Sequence, residues 1–366
     1  MNNHVSVLEI DSKALVHNLN YFKNKLNENT KILAVVKAFG YGSDGVLVAD
    51  FLKDKVDYFA VAYAHEGIAL REANIKTPIL VLHPQIATLQ DIIDYRLEPN
   101  LYNFKIFHAF LELADTIPLM NYPVHIKFNT GLNRLGFWHT DIPKIISELK
   151  ETNHIKVQSL FSHLAASEDL EEKDFTNNQL NSFAYIAQQF YKHLSYEPML
   201  HILNTSGVVN YAKAQFDMVR VGIGLYGFGN DDEETKQLKN THNLKSIISQ
   251  IHLIEPGETV GYNRAFVAKK PSKSATIPVG HADGLSRKLG NEAGYVLINN
   301  QKAKIIGNVC MDMIMVDVTK IDCNEGDEVI IFNSQDMLKH IADASETIVY
   351  ETLTSISPRV KKMLKS

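Results

Sequence analysis

The chain reads as an α/β protein, a closed parallel (β/α)8 TIM barrel followed by an all-β domain, and three observations predict it. Short apolar runs alternate with helix-length amphipathic stretches through the first two thirds of the sequence. Those runs number eight over about 230 residues, the count and length of the closed parallel barrel. From about residue 235 the grain changes to closely spaced short strands separated by turn signals. The 366 residues therefore divide into a barrel over 1–235 and a β domain over 236–366, with about the first eight residues expected to pair with the β domain.

The first helix is expected over 12–26, with Asp11 placed to cap it ahead of Ser12-Lys13-Ala14-Leu15. Barrel strands follow at 32–36, 58–62, 78–82, 97–101, 124–128, 157–161, 199–203 and 218–223. They are short apolar runs with little alternation, as strands covered on both faces are. Helices between them are expected at 45–53, 64–73, 142–150 and 176–193, among others. A doubly wound open sheet shares this periodicity, and only closure separates the two. An acidic stretch, Asn230-Asp-Asp-Glu-Glu-Thr-Lys236, reads as the linker. Beyond it strands are expected at 244–254, 274–278, 295–298, 302–309, 313–318 and 328–331, then a helix at 336–345. Pro256-Gly257, Asn299-Asn300 and Asn324-Glu-Gly326 mark turns.

Composition narrows the function. At 45% hydrophobic and 22% charged, the chain is ordinary for a globular protein. It has no run of about 18 apolar residues to span a membrane. Its N-terminus lacks the charged-then-apolar pattern of an export signal. Cys310 and Cys323 make no disulfide framework and fit a reducing cytoplasm. A net charge of −5 and the lack of a basic block argue against nucleic acid. Small molecules and further copies of the chain are the expected partners, and no metal is expected.

Function in a (β/α)8 barrel collects at the C-terminal ends of the strands, and polar residues sit there in this sequence. The first strand ends in Lys37 with Tyr41 just beyond, ahead of Gly42-Ser43-Asp44-Gly45. An amine at that place loses solvent, which disfavours its charged form, and a lowered amine pKa is what Schiff-base chemistry requires. The fifth strand leads into Lys127 and Arg134, and the sixth ends in Ser162-His163. The seventh ends in Asn204-Thr205-Ser206-Gly207 and the eighth in Arg220-Val-Gly222-Ile223-Gly224. Singly, a lysine at a strand end, a core histidine or a turn glycine is commoner as a structural residue. Together they set an amine, an imidazole, two guanidinium groups, hydroxyls and glycines around one rim. The turns after the last two strands are the usual phosphate site of this fold, where backbone N–H groups reach an anion. A Schiff-base lysine opposite a phosphate cradle implies pyridoxal 5′-phosphate. Arg220 would then face the pyridine nitrogen. A permanent cation there keeps that nitrogen unprotonated, which favours brief deprotonation at Cα over decarboxylation or transamination.

Five motifs recur in one order: Ala34-Val35-Val36-Lys37-Ala38-Phe39-Gly40-Tyr41-Gly42, Asn129-Thr130-Gly131-Leu132-Asn133-Arg134-Leu135-Gly136, Val260-Gly261-Tyr262, Gly280-His281-Ala282-Asp283-Gly284 with Arg287, and Gly307-Asn308-Val309-Cys310-Met311-Asp312. Tyr350-Glu351 and Arg359 follow. This set resembles the bacterial alanine racemase family over nearly the whole chain. The resemblance implies an isomerase that interconverts L- and D-alanine with pyridoxal phosphate held by Lys37, supplying D-alanine for peptidoglycan. Lys37 would serve one face of Cα and Tyr262 the other, because a single base tends to return the proton to the side it came from. A free tyrosine has a pKa of about 10, and His163 with Arg220 behind it resembles the network that lowers it. Tyr41, Thr205, Gly222, Ile223 and Tyr350 would bind the phosphate, with Asn204 also on the cofactor. Arg134 would orient the cofactor's phenolic oxygen and the substrate carboxylate. Lys127 matches a lysine that is carbamylated in some members. Met311 and Tyr262 would come from the partner subunit of a head-to-tail homodimer with shared sites, supported by Asp312, His281 and Arg287.

The sequence departs from the family's pattern at a few places. Phe39-Gly40 stands where Asn-Ala is usual, and Ser43 where His is. His281 replaces the tyrosine of the family's inner gate, so entry to the site is expected to differ. Three other readings compete. A fold-type III amino-acid decarboxylase also joins a lysine-bearing barrel to a β domain, and Ile254-Glu255-Pro256-Gly257 resembles its substrate segment. It uses a Gly-Gly-Gly phosphate loop that is absent here, and a carboxylate where Arg220 stands. A barrel-only cofactor carrier leaves the β domain without a role. The third is a racemase acting on other amino acids, such as serine or lysine; those broad-specificity relatives are often exported and carry disulfides, and this sequence shows neither an export signal nor a cysteine pair.

Overall fold

The computed structural model describes residues 5–117 and 119–365. The expectation for the first eight residues therefore falls partly outside the described residues, at 1–4. Residues Val7–Asp11 form strand β1. The chain then enters a helix at Ser12–Lys23, whose first turn is capped as expected: the Asp11 carboxylate accepts from Ala14 N at 2.9 Å.

Eight parallel strands follow: β2 (Lys31–Val35), β3 (Tyr58–Val61), β4 (Ile79–Val81), β5 (Glu98–Leu101), β6 (Tyr122–Lys127), β7 (Ile155–Phe161), β8 (Met199–His201) and β9 (Met218–Val221). They hydrogen-bond in the order β8-β7-β6-β5-β4-β3-β2-β9. The two end strands then meet. Asp217 N donates to Leu200 O at 3.1 Å and Arg220 N to Leu203 O at 3.0 Å, while the Asp217 carboxylate accepts from Leu200 N at 2.7 Å. These bonds close the sheet, so the fold is the barrel and not the doubly wound sheet. The walls are apolar and buried, as in Ile32–Val36, yet Glu98, His125, Ser159, His201 and Arg220 are buried with them.

The acidic stretch expected as a linker is a short helix, Asp232–Gln237. Asp231 caps it by accepting from Glu234 N at 2.7 Å, and its acidic first turn suits the positive end of the helix dipole. The β domain contains β10 (His242–Ile247), β11 (Gln250–Ile254), β12 (Thr259–Val260), β13 (Phe266–Val267), β14 (Ser272–Ile277), β15 (Tyr295–Ile298), β16 (Gln301–Ile306), β17 (Ile314–Asp317), β18 (Glu328–Phe332) and β19 (Lys361–Lys365). The run expected as one strand over 244–254 is two. At the break Ile248 N donates to Asp327 O and Ser249 N to Thr276 O, both within 2.9 Å. The chain changes neighbours there, from β18 to β14. Strand β1 joins this sheet, antiparallel to β10 and parallel to β19, with Leu8 and Ile10 fully buried. Among the described residues no helix is long and apolar enough to cross a membrane.

Candidate active site

Strand β2 does not run out into an ordinary loop. Ala38, Phe39, Gly40 and Tyr41 hold φ of 53, 54, 62 and 54°, and Gly42 follows at 82°, which makes a left-handed turn. Side-chain-bearing residues cost about 1–2 kcal/mol each in that conformation, so the turn persists only where its surroundings hold it. Glu66 is one such hold. Its carboxylate accepts from Ala38 N at 2.7 Å and from Ala62 N at 2.6 Å, tying the ends of β2 and β3 together. On the opposite side Gly42 lies so near the Leu353 carbonyl that a Cβ would come within 2.0 Å of it. Leu353 belongs to the helix Val349–Thr354, which carries Tyr350 to the barrel mouth.

The mouth encloses a cavity of about 820 Å³ lined by Lys37, Tyr41, Lys127, Arg134, His163, Asn204, Thr205, Arg220, Gly222, Ile223 and Tyr350. Four cations converge on it, and the charges act on one another. Burial, then Arg134, lowers the Lys37 amine below its ordinary range, with the Glu66 carboxylate pulling the other way. Lys127 lies 5.6 Å from the Phe161 ring centre and is brought down to about 7 by burial, Arg220, Arg134 and Lys37. Arg220 is lowered to about 9 by burial and Arg134, so it is still a cation near neutrality. Burial and then Arg220 push His163 and His201 well below the ordinary imidazole range, which makes both neutral.

Arg220 is held by neutral acceptors only. Its Nη2 donates to His163 Nδ1 at 3.0 Å, Ser162 O at 2.8 Å and Ile202 O at 2.9 Å. Its Nη1 donates to His201 Nδ1 at 2.8 Å and His201 O at 3.2 Å. No carboxylate quenches this charge among the described residues.

Just past β9, the strand beside β2, Gly222 N donates to Thr205 Oγ1 at 3.0 Å. A Cβ on Gly222 would lie 2.5 Å from the Tyr41 hydroxyl, so glycine is what allows the phenol to approach this turn. Thr205 and Ile223 each begin a helical turn, where the first N–H groups have no acceptor within the helix. The Tyr350 ring stands 6.2 Å from that of Tyr41. The hydroxyls of Tyr41, Thr205 and Tyr350 and the backbone donors after β8 and β9 thus line the same cavity as the amine and guanidinium groups. This arrangement fits pyridoxal phosphate: donors for its phosphate, cations for its phenolic oxygen, an amine for its aldehyde.

Tyr262, Met311, His281, Asp312 and Arg287 do not line the cavity. Tyr262 is 72% exposed and Met311 59%, so neither belongs to the β-domain core. They lie on loops stitched into one face of that domain. His281 N donates to Cys310 O at 3.0 Å, Ala282 N to Met311 O at 2.9 Å and Asn308 Nδ2 to Tyr262 O at 3.0 Å. Arg359 bridges Asp283 at 2.9 Å and Asp312 at 2.8 Å. Positive φ at Gly261, Asn263 and Arg264 (80, 58 and 52°) shapes the loop that presents Tyr262. One chain therefore assembles the lysine half of the expected set and leaves the tyrosine half on its surface.

Sequence reasoning missed Glu66 and His201. Glu66 stands in the first turn of a helix directly after β3, the place from which a carboxylate reaches back to free N–H groups. His201 hides inside an apolar run, and only the strand register reveals that it faces the barrel interior.

Comparison with known proteins agrees with this geometry. The family profile described as alanine racemase, N-terminal domain, matches residues 10–229, and that of the alanine racemase C-terminal domain matches residues 241–364. Alanine racemase 1 of Caldanaerobacter subterraneus subsp. tengcongensis is 34% identical over 366 residues, covering 97% of this chain and 94% of that protein. The structure of the Clostridium difficile 630 alanine racemase superimposes with a TM-score of 0.94 at 32% identity, covering 100% of this chain and 97% of the other. The Bartonella henselae alanine racemase, solved with covalently bound pyridoxal phosphate, gives a TM-score of 0.87 at 28% identity, with 99% of each chain covered. With both domains matched in order and relatives alike from end to end, the chain belongs to the alanine racemase family, whose members depend on pyridoxal phosphate.

Proposed function

We propose that the protein interconverts L- and D-alanine with pyridoxal phosphate, and that each site takes Lys37 from one subunit and Tyr262 from another. The observation that carries this reading is the split itself. A lysine with a lowered pKa faces a cavity of cations and hydroxyls, while Tyr262 stands exposed on the β domain of the same chain. Bound at Lys37, pyridoxal phosphate supplies an electron-withdrawing ring that acidifies the Cα–H of the amino acid.

Tyr41, Thr205, Gly222, Ile223 and Tyr350 would hold the phosphate end, with Asn204 beside them. Arg134 would orient the phenolic oxygen and the substrate carboxylate. Arg220, a cation resting on neutral acceptors, would face the ring nitrogen and disfavour a proton there. Lys37, whose amine burial and Arg134 hold below its ordinary range, would remove or return the proton on one face of Cα. The partner's Tyr262 would do the same on the other face. His163 accepts from Arg220 through Nδ1, so its Nε2–H is free to donate to that phenol oxygen and favour its ionised form. Lys127, near pKa 7, has a neutral amine whose lone pair can attack carbon dioxide, losing a proton as the carbamate forms, and a carbamate there would set an anion beside Arg134.

The assembly that follows is a head-to-tail homodimer, to which Met311, Asp312, His281 and Arg287 contribute from the exposed face. Unpaired Cys310 and Cys323 support a cytoplasmic enzyme making D-alanine for peptidoglycan. Serine is expected to turn over more slowly, since a pocket separates substrates differing by one small group by only about 1–3 kcal/mol.

Deuterium wash-in at Cα from L- and D-alanine, with and without added pyridoxal phosphate, tests the reading. Exchange from both enantiomers is expected, abolished in Lys37→Ala and confined to one enantiomer in Tyr262→Phe. Bound cofactor without exchange, or release of carbon dioxide, would overturn it.

A further inference from the structure

Arg220 is also the end of a line of hydrogen bonds that runs around the inner wall of the barrel, away from the mouth. His201 Nε2 and Ser159 Oγ are 2.8 Å apart, Ser159 Oγ and His125 Nδ1 2.6 Å, and His125 Nε2 and Glu98 Oε2 2.7 Å. The five residues come from strands β9, β8, β7, β6 and β5, neighbours around the closed wall, and all are buried.

Donor chemistry fixes the direction of every link. A guanidinium has no acceptor, so His201 Nδ1 must accept from Arg220, and the proton of this neutral imidazole sits on Nε2. His201 Nε2–H then donates to Ser159, whose hydroxyl proton donates to His125 Nδ1. His125 in turn carries its proton on Nε2 and donates to Glu98, a carboxylate that only accepts. The line has one polarity, from a cation at the mouth to an anion deep in the wall. Without an acceptor at its far end the same side chains can reverse. His125 could then hold its proton on Nδ1 and Ser159 donate to His201 Nε2, which would set an Nδ1–H of His201 against the Arg220 N–H and break the bond that holds the guanidinium there.

We infer that Glu98 is a positioning residue for the cofactor end of the site: through His125, Ser159 and His201 it keeps an acceptor facing Arg220 and so fixes the guanidinium that would meet the pyridine nitrogen. Only the kinetic arm of its test rests on the racemase reading.

That test follows the two imidazoles by long-range 1H–15N correlation in 15N-histidine-labelled protein, with and without pyridoxal phosphate. In the parent, His201 is expected as a neutral Nε2–H tautomer, with His125 Nε2–H donating to Glu98. Glu98→Leu is expected to populate Nδ1–H at His201, three hydrogen bonds away, and to lower kcat for alanine about tenfold with little change in KM. Glu98→Gln retains an acceptor and is expected to restore the Nε2–H signal and most of kcat. Ser159→Ala cuts the line, so it is expected to release the His201 tautomer by itself and to remove any further effect of changing Glu98; this arm stands even where Glu98→Leu does not fold. An Nδ1–H His201 in the parent overturns the inference, as does a His201 signal unmoved by Ser159→Ala and Glu98→Leu. Loss of the racemase reading alone would leave the tautomer result intact.

Discussion

Lys127 carries a charge signature that can be measured. Its amine titrates at about 7 in the folded protein because burial and three neighbouring cations oppose its protonation, against about 10.4 in an unfolded chain. Between those values the unfolded state binds the extra proton, so stability rises with pH across that window. Cofactor-free Lys127→Met is therefore expected to melt a few degrees higher than the parent near pH 6, with the difference gone near pH 10. The same substitution removes the group that would position Arg134, and activity is expected to fall about tenfold to a hundredfold. A carbamate resonance under 13C-labelled carbon dioxide, absent in the variant, would report the modification directly. At Arg220, Glu would place an anion where the ring nitrogen is expected and allow that nitrogen a proton, which strengthens the electron sink. Arg220→Glu is expected to raise side transamination, read as loss of bound cofactor absorbance during turnover; an unchanged rate contradicts the role given to this cation.

At the scale of elements, the left-handed turn after β2 is the part most exposed to a single change. An alanine at position 42 would place its Cβ 2.0 Å from the Leu353 carbonyl while holding φ near 82°. Gly42→Ala is expected to cost about 1–3 kcal/mol or more and to weaken cofactor retention, because Lys37 and Tyr41 ride on that turn. Thermal melts and cofactor titration check both. This turn also shows where sequence reading stops. The barrel strands were legible because a buried parallel strand needs an unbroken apolar run, and each run stood within a residue or two of its strand. Ala38 and Phe39 at positive φ were not legible, since neither residue type favours that region; tertiary holds from Glu66 and Leu353 impose it. The corner at Ile248-Ser249 was hidden for a related reason, because an apolar run does not say which strand pairs with it. The line from Arg220 to Glu98 was hidden inside those same runs. A lone His or Ser between apolar residues signals nothing until the register turns them all inward.

At the scale of the whole molecule, the β domain closes the barrel mouth from one side and presents Tyr262 and Met311 on an exposed face. Its helix Val349–Thr354 brings Tyr350 to the cavity, while β1 ties the start of the chain into the β sheet. Lys37 stood out as a candidate from the residues alone, but Tyr262 and Met311 became candidates only through family resemblance, since nothing local marks an exposed tyrosine as a site residue. The arrangement makes a strong demand: Lys37→Ala and Tyr262→Phe should rescue each other. In a mixed dimer one site collects both changes and the other collects neither. With random pairing about half the dimers are mixed and half of their sites are intact, so about one quarter of parental activity should return. The measurement is therefore racemisation of L- and D-alanine by the two variants, each nearly inactive alone because either direction needs both bases, after they are unfolded together and refolded with pyridoxal phosphate. Recovery toward one quarter in both directions is the expected result. Activity that stays at the sum of the separate variants would contradict a site shared between subunits, and with it the roles assigned to Lys37 and Tyr262.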